Sequence, residues 1–426
     1  MNIVKEEIEI NKYSSYKETE VQWLGKIPEH WVLTRLGTRF EERRTKVSDK
    51  DFQALSVTKQ GVLPQLANAA KTNDGDNRKL VKVGDFVINS RSDRKGSSGI
   101  ASTDGSISLI NIVIKPQDLD PSFCSYLLKC HSFVEEFYRM GHGIVADLWT
   151  TRYDEMKAIT LAIPSMQEQI LITQFLNHKT TLIDQAIGIK EKQIELLKER
   201  RQILIHNAVT RGLNSNAKMT DSPAEWIGTI PEHWEVKRAK YLFDEIDERS
   251  KTGKEELLSV SHLTGVTLRS EKNVTMFQAE DYSGAKLCQQ NDLVFNIMWA
   301  WMGALGISGR SGIVSSSYAV YRQKDVKYFN PWYLEQLLKD INYVAYYNRV
   351  STGLHSSRLR FYSNMFFDMK IGFPPKAEQD KIVEYFKDIS DKFDKVISIT
   401  VSEILFLKEY KSTLLNNVVT GKIKVC

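Results

Sequence analysis

Four stretches hold the side chains best suited to chemistry, and that chemistry is hydrogen bonding to a polar ligand. Asn89, Ser90, Arg91, Ser92, Arg94 and Lys95 follow one apolar run, and His142, Gly143, Trp149 and Arg152 come later. In the second half of the chain Asn296 and Trp299 stand in the place of the first group. Thr352, Gly353, His355, Arg358 and Arg360 stand in the place of the second. Arginine donates two parallel hydrogen bonds to guanine, asparagine matches the adenine edge, and serine and lysine hold phosphate. Glycine lets backbone approach a ligand closely. Lys59 and His262 extend the set, each just after a Leu-Ser-Val run. The bland alternative is a solvated basic turn after Asn89 and a partly buried apolar turn after Asn296.

Signatures of bond-breaking chemistry are missing. The chain has no GxGxxG, no P-loop and no array of His and Cys at metal-ligand spacing, so no catalytic or metal-binding residue is assigned. His30 and His233 sit between Pro-Glu and Trp, where a packed, hydrogen-bonded role is expected. Cys124, Cys130, Cys288 and Cys426 form no CxxC pair and read as reduced thiols of a cytoplasmic protein. No apolar run reaches the ~18 residues of a membrane span, and Met1 to Glu7 lacks a secretory core. A net charge of +5 is compatible with nucleic acid without requiring it.

The elements that must position these loops are present twice. Trp23-Leu24-Gly25-Lys26-Ile27-Pro28-Glu29-His30-Trp31 returns as Trp226-Ile227-Gly228-Thr229-Ile230-Pro231-Glu232-His233-Trp234. Asp85, Gly96, Gly99 and Gly105 return as Asp292, Gly303, Gly306 and Gly312. Pro164 and Glu168-Gln169 return as Pro374 and Glu378-Gln379. The ends of the two copies look shared and the middles individual. In the first copy the pattern predicts two short strands between Leu80 and Ile88 around a turn at Gly84-Asp85, then one from Ser106 to Ile114. A helix from Pro121 to Met140 and a strand from Ala158 to Ile163 follow. The second copy gives strands at Asp292–Ile297 and Ile313–Tyr321, a helix at Pro331–Arg349 and a strand at Met369–Phe373.

Each copy ends in a long helix. Ile183, Ile187, Lys190, Ile194, Leu197, Arg201, Leu204 and Ala208 recur at steps of four and three, the spacing of a helix with one partner stripe. Phe393, Ile397, Thr400, Ile404, Leu407, Lys411, Leu414 and Val418 repeat the seam in register. Connectivity requires the two helices to pair antiparallel, related by a pseudo-two-fold axis. Ser165 to Glu168 reads as a capping box. The span from Thr181 to Arg211 measures about 46 Å at ~1.5 Å per residue. A spacer of that length with two non-identical heads suits two separated elements of one duplex, spaced by about 34–36 Å or a multiple.

The doubled Trp-x-Gly-x-Ile-Pro-Glu-His-Trp, the doubled Pro-x-x-x-Glu-Gln and the helix ending Asn207-Ala208-Val209-Thr210-Arg211-Gly212 resemble the specificity subunits of type I restriction-modification systems. The resemblance implies an α+β fold with two mixed target recognition domains joined by a pair of long antiparallel coiled-coil helices. The divisions expected are a tail (1–20), recognition domain one (21–163), a central helical region (164–213), recognition domain two (214–373) and a distal helical region (374–426). It implies a non-catalytic chain whose domains each read half of a bipartite, asymmetric site in double-stranded DNA. The helices set the gap and dock two modification (methyltransferase) subunits, through which restriction subunits join. No cofactor belongs to this chain; S-adenosylmethionine, ATP and Mg2+ belong to the partners. Two alternatives stay open: a subunit of a related fused restriction-methylation system, and a coiled-coil adaptor that binds only protein.

Overall fold

The computed structural model describes residues 11–65, 75–143, 149–272, 281–353, 355 and 359–425. The chain forms two compact units, residues 1–191 with 401–426, and residues 192–400. Each unit holds one mixed domain and a part of both long helices. The α+β class and the internal repeat expected from the sequence are borne out. Among the described residues no helix is long and apolar enough to cross a membrane.

The domain of unit one is built on a four-stranded antiparallel sheet. Its order is Ser98–Ile100, Phe86–Asn89, Asn111–Pro116, Phe40–Glu42. Unit two repeats it as Leu305–Ile307, Leu293–Asn296, Tyr318–Gln323, Phe243–Ile246. The middles share more than their sequences show. Leu55, Val81, Val87, Ile107 and Val113 fill one core, and Leu258, Cys288, Val294, Val314 and Val320 fill its counterpart. Leu55, Val87 and Val113 keep their identity as Leu258, Val294 and Val320, while Val81 becomes Cys288 and Ile107 becomes Val314, small changes of volume that cores tolerate.

Two of the repeated glycine pairs, Gly99 with Gly306 and Gly105 with Gly312, share one physical cause. A Cβ on Gly99 would lie 2.9 Å from the Gly61 Cα, and one on Gly306 would lie 2.8 Å from the Gly265 Cα. One on Gly105 would meet the Gln53 carbonyl oxygen at 2.6 Å. Main chain packs on main chain at these points in both units. The repeated aspartates are buried, and each takes a bidentate arginine. Arg43 reaches Asp85 at 2.6 and 3.0 Å, and Arg322 reaches Asp292 at 2.8 Å through both nitrogens. These hydrogen bonds raise both guanidinium pKa values above their ordinary range. Arg43 follows the strand Phe40–Glu42 whereas Arg322 lies in Tyr318–Gln323, so the repeat does not reveal them.

Several boundaries differ from the sequence expectation. The strand expected from Ser106 to Ile114 is two strands, Gly105–Ile107 and Asn111–Pro116, because Asn111 N donates to Ser108 O at 3.0 Å and closes a turn. Gly312–Val314 and Tyr318–Gln323 divide the same way, with Tyr318 N donating to Ser315 O. The helix expected from Pro121 to Met140 breaks into Pro121–Lys129 and His131–Arg139, since Cys130 is extended at ψ 151°. Its counterpart breaks at Asp340, giving Pro331–Leu338 and Ile341–Val350. Burial pushes the Cys130 and Cys288 thiols up to about 11.

The long helices exceed the span read from the seam. They run Met166–Arg211, 46 residues, and Lys376–Val419, 44 residues, so about 69 and 66 Å at ~1.5 Å per residue. The extra first turns lie on the domains, with Ile172, Leu176, Ile382 and Phe386 buried. Gly212 and Gly421 follow at φ +77° and +72°. Along the seam Ile183, Ile187, Ala208, Thr400, Ile404, Leu414 and Val418 are buried. Ile194, Leu197, Leu204, Phe393, Ile397 and Leu407 are half-buried. In unit one Asp184 meets Lys411 at 2.7 Å and Lys190 meets Glu403 at 2.6 Å, an antiparallel order. In unit two Arg201 meets Asp394 at 2.9 Å. The cations on the seam therefore lay their stems inward and pair across the helices.

Only half of the expected capping box forms. Glu168 N donates to Ser165 Oγ at 3.3 Å, but the carboxylate turns to the entry segment. It accepts from Tyr13 OH at 2.7 Å and from Trp31 Nε1 at 3.1 Å, and lies 2.9 Å from His30 Nε2. Glu378 does the same with Trp234 at 3.4 Å and His233 at 2.7 Å. Both histidines are hydrogen-bonded as expected, yet half exposed rather than packed.

Gly306→Ala sets a Cβ against unyielding backbone and is expected to cost about 1–3 kcal/mol. Gly309→Ala, where nothing lies within 4 Å, is expected to stay within about 0.5 kcal/mol. Denaturant unfolding of the two variants checks the contrast.

Candidate nucleic-acid interface

In unit one the strand Phe86–Asn89 delivers the first loop. Asn89 ends the ladder, and its side-chain oxygen accepts from Arg91 N at 3.0 Å, which turns the chain outward. A 3-10 turn, Ser92–Arg94, follows. Tyr138 OH donates to Asn89 O at 2.9 Å, and burial holds this phenol's pKa well above its usual value, so it stays a donor.

The second loop is laced to the first. His142 and Thr150 exchange backbone hydrogen bonds at 3.2 and 3.0 Å. Ser92 N donates to Trp149 O at 3.0 Å, and Thr151 N donates to Ser90 O at 3.0 Å. Unit two repeats the lacing: Thr352 and Arg360 exchange bonds at 3.1 and 2.8 Å, and Phe361 N donates to Ile297 O at 3.0 Å. Two stretches far apart in sequence thus form one surface in each unit.

The candidate residues divide by position. Arg91, Arg94, Lys95, His142, Gly143, Trp149 and Arg152 are exposed on this surface. Arg94 lies 3.5 Å from Asp93, and Lys95 bonds Glu135 at 2.6 Å. Arg91 and Arg152 have no ion pair among the described residues, so they are the cations free for an anionic ligand. Asn89 and Ser90 are buried, as is Asn296, whose amide oxygen accepts from Met298 N at 3.2 Å. That places them beneath the loops rather than on the outer face.

In unit two the described residues of the equivalent surface carry fewer cations. Trp299 is 48% exposed and stacks on Trp301 at 5.8 Å. Thr352, Gly353 and His355 are exposed and Arg360 is half-buried. Arg358 lies outside the described residues. Lys59 and His262 occupy the exposed turns of two equivalent hairpins, Leu55–Thr58 with Gly61–Pro64 and Leu258–Ser261 with Gly265–Leu268. No hydrogen bond among the described residues joins either turn to the laced loops. His262 borders a groove with His206 and Asp340 instead. Among the described residues no group of three or more His, Cys, Asp or Glu is placed to share a metal ion.

The arrangement defines a class: two related mixed domains, each packed on a part of both long helices and each presenting exposed cations or aromatics on laced loops. No family model matches the chain. It is 22% identical over 457 residues to the putative type I restriction enzyme MjaX specificity subunit of Methanocaldococcus jannaschii, covering 98% of this chain and 99% of that protein. It is 23% identical over 445 residues to the MjaVIII specificity subunit of the same organism, covering 96% and 97%. Its fold is similar to that of a chain from a study of complex assembly and conformational transition of the type I R-M system. There the TM-score is 0.63 at 13% identity, over 92% of this chain and 98% of that one. The HsdS subunit from Thermoanaerobacter tengcongensis gives a TM-score of 0.50 at 14% identity, over 93% and 98%. The resemblance carried by the doubled motifs is borne out, and it runs nearly the whole length of the chain.

Arg91→Ala and Arg152→Ala are each expected to weaken duplex binding by the assembled complex and to lower the salt slope of log Kobs by about one. Titrations at several salt concentrations measure both effects.

Proposed function

We propose that this chain reads double-stranded DNA as the specificity subunit of a type I restriction-modification complex. Residues 21–163 and 214–373 act as its target recognition domains, and residues 164–213 and 374–426 as the helical regions that set the gap between two half-sites. The full-length likeness to specificity subunits carries this reading. The contrast between the units supports two different half-sites: one exposes Arg91 and Arg152, without an ion pair among the described residues, where the other exposes Trp299.

The chain itself carries out no covalent step in this reading. Methyl transfer from S-adenosylmethionine belongs to two modification subunits, and ATP- and Mg2+-dependent restriction to subunits joined through them, in the cytoplasm. Each unit exposes an equivalent apolar pair for docking, just before seam residues. These are Ile189 and Phe406 in unit one, and Leu196 and Ile399 in unit two. Apolar side chains at such positions gain by being covered.

Sequencing the methylated sites in cells that carry the complex tests the reading. One bipartite motif with two unlike halves and a fixed gap is expected. A continuous motif contradicts the bipartite reading, and the absence of any motif dependent on this chain favours a protein-only adaptor.

A further inference from the structure

The turn that divides the expected strand of each copy differs between units. In unit one it is Ser108-Leu109-Ile110, and in unit two Ser315-Ser316-Ser317. Leu109 and Ile110 are 39% and 40% exposed, although Ile107, Asn111 and Ile112 beside them are buried. Ile110 O accepts from Ser90 N at 3.3 Å, which fastens this turn to the laced loops. Both apolar residues border a groove of about 310 Å³ shared with Arg91, Thr150 and Arg152. Glu42 also borders it, but its carboxylate is held by Arg44 at 2.5 Å and Lys79 at 3.4 Å.

We propose that Leu109 and Ile110 read thymine in the half-site bound by unit one, through apolar contact with its 5-methyl group, while Arg91 and Arg152 hold the duplex. The inference rests on the DNA-reading function proposed above. The methyl group is the one apolar feature that a base edge shows in the major groove. Leucine and isoleucine side chains cannot hydrogen-bond, so that methyl is what they can recognise. Cations on the same groove supply the attraction to phosphate that brings the edge into reach. The serine turn of unit two lacks the apolar surface, so the same place in the fold discriminates differently in the two units.

The test replaces the pair by its counterpart, Leu109→Ser with Ile110→Ser, both exposed enough to leave the core untouched. Methylated sites are sequenced for the wild-type and variant complexes. The variant is expected to keep both half-sites and the gap, and to accept other bases at one thymine position of one half. Duplexes in which single thymines are replaced by deoxyuridine give a second readout. Wild-type complex is expected to bind about fourfold more weakly at that one position, the worth of one buried methyl, and the variant equally well. An unchanged motif, or a half-site with no position sensitive to deoxyuridine, overturns the inference. So does a variant that keeps its motif but loses a modification subunit, which makes the pair a protein contact. A wild-type complex with no bipartite motif instead brings down the parent reading.

Discussion

A carboxylate in the first turn of each long helix fastens the rest of the architecture. Glu168 accepts from the indole of Trp31, which is fully buried, and Glu378 accepts from Trp234. A buried indole N–H without an acceptor costs about 1–3 kcal/mol, so the helix and the entry segment hold each other. The neighbouring glutamine completes the joint. Gln169 accepts from Asp120 N and donates to Pro164 O, and Gln379 accepts from Asn330 N and donates to Pro374 O. One Glu-Gln pair thus ties the entry segment, the helix start and the first domain helix together in each unit.

The other long helix reaches each domain as well, by chemistry that differs between units. In unit one Cys130 cannot cap the helix that follows it, and Asn416 Oδ1 accepts from Ser132 N at 3.0 Å in its place. In unit two Asp340 caps its own helix by accepting from Asn342 N, and His206, the counterpart of Asn416, bonds that aspartate at 2.5 Å. The geometry is preserved while both partners change. Around these joints the domain cores keep their apolar positions, the glycine contacts and the buried aspartate. Outward-facing turns differ between the units, as where Ser108-Leu109-Ile110 stands opposite Ser315-Ser316-Ser317.

Much of this was legible in the residues. The 4-3 seam and the placing of candidate loops after apolar strands follow from local spacing, the repeat from comparing the two halves, and the antiparallel pairing from connectivity. The rest depends on partners distant in sequence. Ser-x-x-Glu has the local grammar of a capping box, and nothing near it reveals that Glu168 belongs to Trp31. The seam marks the helix only from Thr181 onward, because the earlier turns face a domain and have no 4-3 pattern to show. Leu109 and Ile110 read as strand residues by propensity, yet the chain turns there and exposes them. Asn89 and Asn296 have the right chemistry for reading adenine, and the fold uses their oxygens to bend the loops. Side-chain chemistry named the loops; burial decides which atoms are free.

If two domains, each fastened by its Glu-Gln joint, read DNA at a gap fixed by the helix pair, a longer pair must give a longer gap. Insertion of one heptad into each long helix, keeping the seam in register, tests it most directly. Seven residues add about 10 Å, or about three base pairs at ~3.4 Å each. Sequencing of methylated sites should then show both half-sites unchanged and the gap longer by about three base pairs. An active complex whose gap is unchanged contradicts the account.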